Sequence, residues 1–117
     1  MKKIFIVFGF IFSAFLFATC NPGKNAAGKK IPKSTYTANL SAVIMENCVP
    51  CHIPAKGGRK KSYDNYDNVK TDIDEMIRRI GLQPTEKDFM PFKRKTQLPD
   101  STIAKFKKWR DDGLLEK

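Results

Sequence analysis

The chain has 117 residues, which is room for one domain in about the lower part of the usual size range and excludes a second. A core of this size buries limited apolar surface, so a disulfide, a metal or a large prosthetic group is a natural supplement to hydrophobic burial. The formal net charge of +10 at pH 7 suits an acidic protein partner, an anionic membrane surface or nucleic acid, and the export signal described next argues against nucleic acid.

Met1-Lys2-Lys3 is a short basic start, and Ile4 to Phe17 is an almost unbroken apolar run interrupted only by Gly9, Ser13 and Ala14. This is the pattern of an export signal, and the run falls short of the roughly 20 apolar residues that a membrane-spanning helix needs. Leu16-Phe17-Ala18-Thr19-Cys20 resembles a bacterial lipoprotein signal, with Phe17 where an aliphatic residue is usual and Thr19 where Gly, Ala or Ser is usual. The resemblance implies removal of residues 1–19 and a lipid on Cys20. That would hold the chain in the bacterial cell envelope, facing the periplasm and anchored to a membrane. Plain cleavage after a small residue, giving a soluble periplasmic protein, is the alternative. Loss of Lys2 and Lys3 with the leader takes the net charge from +10 to +8.

Residues 20–35 are mostly Gly, Asn, Lys, Ala and Pro with hardly a large apolar side chain, which predicts a flexible tether and a folded domain over 36–117. Thr37 is a fair N-cap, and Leu40, Val43 and Ile44 recur at helical spacing up to Cys48. Ile53 to Lys61 carries Pro54, Gly57, Gly58 and a basic cluster, which is loop chemistry. Ser62 to Leu82 reads as helix again, with Ile73, Met76, Ile77 and Ile80 as an apolar stripe and Gly81 as its stop. A loop with Pro84, Pro91 and Pro99 leads to a last helix capped by Asp100 or Ser101, carrying Ile103, Phe106, Trp109 and Arg110 near one face and closed by Gly113. No strand shows convincing alternation and no repeat is visible, so the expected class is all-α with long loops.

Cys48-Val49-Pro50-Cys51-His52 is a CxxCH motif, the pattern of c-type haem attachment. The two thiols add across the haem vinyl groups as thioethers, and the adjacent His52 is then placed under the iron as proximal ligand. Two other readings compete. A thioredoxin-like redox pair also uses CxxC but follows a strand within a βαβ unit, whereas a helix precedes Cys48. A structural zinc site wants four ligands, and after export the chain offers Cys48, Cys51, His52 and Cys20.

His52 is the only histidine, so a sixth iron ligand would be Met, Lys or water. Met45 lies three residues before Cys48 on the same helix and Met76 within the apolar stripe, where packing is the simpler role for both. Met90 lies in the irregular stretch Phe89-Met90-Pro91-Phe92, and Pro91 restricts it toward extended backbone. A loop thioether of this kind can reach a haem face, and Met/His is an established axial pair; a buried loop methionine facing an open iron is the alternative.

The early CxxCH, a Met-Pro some forty residues later and a final helix ending Trp109-Arg110-Asp111-Asp112-Gly113 together resemble the class I monohaem cytochrome c family over about Thr37 to Leu114. Phe92 stands where that family often has a second proline. The resemblance implies a small helical domain wrapped around one haem c, with its iron, attached at Cys48 and Cys51 and ligated by His52 and Met90. It also implies packing of Leu40, Val43 and Ile44 against Ile103, Phe106 and Trp109.

The expected function is single-electron transfer in an extracytoplasmic chain, without substrate turnover, so the chain is expected not to be an enzyme. Phe89, Phe92, Tyr63 and Tyr66 are candidate pocket walls. Lys56, Arg59, Lys60 and Lys61 follow His52, and Lys93, Arg94 and Lys95 follow Met90, so both clusters could steer docking onto an acidic face of a membrane oxidase or reductase. Rival readings are a haem module that binds or senses a small ligand at an open sixth position, and a haem subunit bound permanently to one membrane enzyme.

Overall fold

The computed structural model describes residues 31–117; the expected export signal, Cys20 and the expected tether up to residue 30 lie outside the described residues. The described chain is helical, and its one piece of β-structure is an isolated parallel bridge between Thr35 and Leu115. A wide π turn, Tyr36–Leu40, runs directly into α1 (Ser41–Asn47); α2 is Tyr66–Ile80 and α3 is Asp100–Asp111. A short 3-10 turn at Pro54–Lys56 lies between α1 and α2.

The cap of the first helical segment is Thr35 and not Thr37. Thr35 is extended, with φ −122 and ψ 156, and its Oγ1 accepts from the Ala38 N–H. All four N–H groups that a helix start leaves without internal partners are accounted for. Thr35 N–H donates to Asn39 Oδ1 (2.8 Å), Tyr36 N–H to the Leu115 carbonyl (2.8 Å) and Thr37 N–H to the Glu116 carbonyl (3.0 Å), beside the Ala38 bond to Thr35 Oγ1. Thr37 spends its hydroxyl on the Glu116 carbonyl at 2.9 Å. Ordered packing also begins slightly before the expected boundary at residue 36, since Ser34 is buried and its N–H donates to the Asp112 carboxylate.

The C-terminal segment can serve as this cap because it turns back after α3. Gly113 (φ 103) and Leu114 (φ 58) are both left-handed, and the glycine takes that conformation at no steric cost. Trp109 Nε1 then donates to the Leu115 carbonyl at 2.7 Å, and the Tyr66 hydroxyl donates to the Leu114 carbonyl at 2.9 Å. Tyr36, Tyr66 and Trp109 come from three different helical segments, and their ring centroids lie 6.0, 6.1 and 6.2 Å apart in tilted and edge-on pairs, the arrangement aromatic quadrupoles favour.

Helix α2 starts where Asn65, rather than any residue near Ser62, accepts from the Asn68 N–H at 3.0 Å. Asp67 in its first turn and Arg78 and Arg79 in its last agree with the helix dipole. Gly81 ends it in the right-handed region (φ −86), so the stop is not a left-handed glycine. The exposed carbonyls of Gly81 and Leu82 are instead taken by Gln97 Nε2, at 2.9 and 2.7 Å. Helix α3 begins at Asp100, with Pro99 as its cap, whose carbonyl accepts from Thr102 and Ile103. Asp100 and Ser101 therefore occupy the first turn, where Asp100 still favours the dipole.

The stripes read from spacing share one core: Leu40, Val43, Ile44, Val69, Ile73, Met76, Ile80, Ile103, Phe106 and Trp109 are buried together. The last helix meets the first segment through the Tyr36–Leu40 turn. Met45, by contrast, faces outward at 38% exposure. Trp109 combines full burial, two aromatic partners and the bond to the C-terminal cap. Trp109→Ala is expected to cost about 3–5 kcal/mol of unfolding free energy in urea titration; a loss below about 1 kcal/mol would show that the core closes without it.

Candidate functional site

The segment after α1 has too few residues to form another helix before Pro54, and it coils tightly on its own backbone. Cys48 is the C-terminal cap of α1, its N–H donating to the Ile44 carbonyl at 2.8 Å. His52 N–H reaches back to the Cys48 carbonyl (3.1 Å) and Ile53 N–H to the Pro50 carbonyl (3.1 Å). The following loop then folds against this coil, with Lys60 N–H on the Cys51 carbonyl (3.0 Å) and Tyr63 N–H on the His52 carbonyl (2.9 Å). Gly58 permits that approach. A Cβ there would press on the Pro50 carbonyl oxygen and lie 2.7 Å from the Cys51 oxygen and 2.8 Å from the Ile53 nitrogen.

The same loop fixes the His52 ring. Nδ1 lies 2.7 Å from the Lys61 carbonyl oxygen, an atom that can only accept, so Nδ1 carries the proton. In neutral imidazole the lone pair then belongs to Nε2, the tautomer needed for metal ligation. The ring face stacks on Tyr63 with centroids 4.4 Å apart and planes 10° from parallel. Tyr63 donates its hydroxyl to Asp72 Oδ2 at 3.0 Å, and Lys61 Nζ lies 2.8 Å from Asp72 Oδ1. No motif spacing announced these partners; Tyr63 was legible only as a pocket wall, and Lys61 only as part of a basic cluster.

Cys48, Cys51, His52 and Met90 all line one cleft of about 340 Å³, whose other walls include Met76, Ile80, Leu98, Phe106 and Phe92. That volume lies within the roughly 300–1,000 Å³ of small-molecule and cofactor sites, which are lined mainly by apolar side chains with a few polar groups. Of the four aromatic residues expected as walls, Tyr63 and Phe92 line the cleft. Tyr66 is committed to the aromatic trio, and Phe89 is buried outside the cleft lining.

Both thiols are free, Cys51 exposed and Cys48 half-buried. Burial pushes the Cys48 thiol up to about 11, and its place at the negative end of α1 acts in the same direction. A nucleophilic redox cysteine needs the opposite setting, a helix N-terminus or a cationic neighbour that lowers its pKa. Among the described residues, moreover, no strand precedes the motif and no group of three or more His, Cys, Asp or Glu side chains converges to hold a metal ion.

Met90 is half-buried at the edge of the core. Its N–H donates to the Arg79 carbonyl in the last turn of α2 at 3.2 Å. Asp88 and Lys93, which bracket it, both have φ near 71. Non-glycine residues in that region cost about 1–3 kcal/mol each and persist where surrounding contacts over-determine them. Here Arg94 Nη2 donates to Asn47 Oδ1 at 3.3 Å, linking the Met90 loop to the residue just before Cys48.

Compared with protein-family models, curated proteins and solved structures, the chain gives no match.

The two adjacent glycines provide a test of how the site is built. Gly57 is left-handed (φ +82) with nothing near a would-be Cβ, whereas Gly58 abuts the CxxCH backbone. Gly57→Ala is expected to cost about 1 kcal/mol and Gly58→Ala about 2–3 kcal/mol in urea unfolding. Equal costs at the two positions would contradict the close approach.

Proposed function

We propose that the chain is a single-electron carrier of the cytochrome c kind. One haem is bound covalently through Cys48 and Cys51, with His52 and Met90 as axial ligands, and the three helices form its wrapping. The observation that carries this reading is that all four side chains line one apolar cleft while the hydrogen bond to the Lys61 carbonyl leaves the His52 lone pair on Nε2. The donor set fits the group: two thiols for thioether formation, one imidazole in the ligating tautomer and one thioether sulfur. Bound there, haem would supply one-electron exchange between ferrous and ferric iron.

The chain's own residues do the rest. Lys61 and Tyr63 orient the imidazole. The buried side chains of Met76, Ile80, Leu98 and Phe106 line the cleft and would keep water from a haem bound there, which favours the less charged reduced state and raises the potential. If His52 and Met90 both held the iron, no position would be left open to a substrate, so the reading is electron carriage without turnover. A neutral Met ligand also stabilises the reduced form.

Oxidised and reduced absorption spectra of the protein expressed with haem-maturation machinery test this reading. Expected are a covalent haem spectrum and the near-infrared charge-transfer band of methionine-ligated ferric iron, the band lost in Met90→Ala. A covalent haem spectrum without that band, together with a spectral change on adding carbon monoxide, would replace the carrier with a small-ligand-binding or sensing module.

Location and partner extend the proposal. A lipid on Cys20 would hold the domain at a periplasm-facing membrane surface through the tether. Exposed Phe92 and Lys60 both line the cleft, and Arg59, Lys93 and Arg94 adjoin them in the chain. An exposed apolar side chain with cationic residues beside it in the chain suits an acidic face on a membrane oxidase or reductase, with charge acting mainly on the association rate. The second-order rate of electron transfer to such a partner is expected to fall steeply as ionic strength rises past 0.1 M, where the Debye length is about 10 Å. A rate independent of salt would contradict steering.

A further inference from the structure

The two groups that hold His52 are themselves held by one carboxylate. Asp72, on α2, places Oδ1 2.8 Å from Lys61 Nζ and Oδ2 3.0 Å from the Tyr63 hydroxyl. Lys61 presents its carbonyl to His52 Nδ1 at 2.7 Å, and Tyr63 stacks its ring on the imidazole at 4.4 Å. A histidine side chain has two rotatable bonds. The Lys61 carbonyl fixes one edge of the ring and the Tyr63 face fixes its plane. Both belong to the loop between the 3-10 turn and α2, and Asp72 ties both side chains of that loop to a regular helix.

We propose that Asp72 is a positioning residue for His52, acting through Lys61 and Tyr63 to fix the plane of the imidazole and the strength of its Nδ1 hydrogen bond. An isolated, partly exposed ion pair such as Lys61–Asp72 contributes little by itself. Here the same carboxylate also accepts from the part-buried Tyr63 hydroxyl, so the two bonds reinforce one geometry. Partners one step removed from a ligating histidine set its tautomer, orientation and basicity, and Asp72 stands one step further out, where it governs both partners at once. The significance of this arrangement for electron transfer rests on the proposed haem attachment.

Because His52 is the only histidine, ring-¹⁵N labelling gives one unambiguous Nδ1–H signal. The measurement is the solvent exchange rate of that proton, relative to the backbone amide of Ile73 beside Asp72, in the full chain expressed with haem-maturation machinery and kept reduced. In Asp72→Ala the ratio is expected to rise by about fivefold or more, the factor that one net hydrogen bond is worth. Asp72→Asn, which keeps an acceptor for Tyr63, is expected to fall between. Tyr63→Phe keeps the stacked ring while cutting its tie to Asp72 and is expected to raise the ratio in the same direction, which provides a second reading if Asp72→Ala fails to fold. An unchanged ratio in the folded variants, including one where both rates rise together through general destabilisation, would overturn the positioning role. The haem spectrum of the same wild-type sample decides the underlying reading separately: a chain without covalent haem would overturn that reading, and the His52 exchange ratio would still decide this one.

Discussion

The hydrogen bond from His52 Nδ1 to the Lys61 carbonyl, at 2.7 Å, turns the CxxCH segment from a connection between helices into a site. A histidine next to two cysteines has no preferred tautomer or direction of its own, and a carbonyl acceptor on Nδ1 decides both. That carbonyl arrives only because the loop folds back on the motif's backbone, which requires the missing side chain at Gly58 and the bonds from Lys60 and Tyr63 to Cys51 and His52. The loop in turn is held to α2 by Asp72. The geometry of one ring thus depends on a glycine, a backbone fold-back and a helix-borne carboxylate.

The site needs a frame that does not shift, and the described residues supply it by joining the first helical segment to the C-terminal one. Carbonyls of Leu115 and Glu116 complete the first helical turn, and Trp109 and Tyr66 hold the returning segment in place. The aromatic trio of Tyr36, Tyr66 and Trp109 joins three helical segments away from the cleft. The cleft opens on the other part of the same core, where Met76, Ile80 and Phe106 are both core and wall. Cleft residues therefore draw their rigidity from packing that also stabilises the fold. The strained backbone at Asp88 and Lys93 lies on either side of Met90, in the irregular loop that brings its thioether to the cleft.

The helices were legible because periodicity reports burial: Ile73, Met76 and Ile80 repeat at helical spacing and are buried together. Their ends were less so. Thr35 caps in place of Thr37 because the C-terminal segment supplies the remaining acceptors, and a partner some eighty residues away leaves no local trace. Gly81 was legible as the stop of α2 and is its C-terminal cap, but nothing in the spacing showed that Gln97 takes the carbonyls of Gly81 and Leu82. Of the site, the CxxCH and Met90 could be picked out because their chemistry is concentrated in short motifs, and the structure gathers them along one cleft. The supporting groups could not, since Lys61 contributes a backbone atom and Asp72 is one of many acidic residues on a helix. Phe89 and Tyr66 show the converse: an aromatic residue near a motif carries no sign of which surface it will face.

The proposed electron carriage depends on covalent capture of a haem by Cys48 and Cys51. The most direct measurement is the intact mass, under denaturing conditions, of the full chain produced with haem-maturation machinery, beside the chain carrying Cys48→Ala and Cys51→Ala together. The account predicts the mass of one haem added to each wild-type chain, surviving denaturation, and none on the double variant. A wild-type chain of unmodified mass, with its two thiols still open to alkylation, would contradict it.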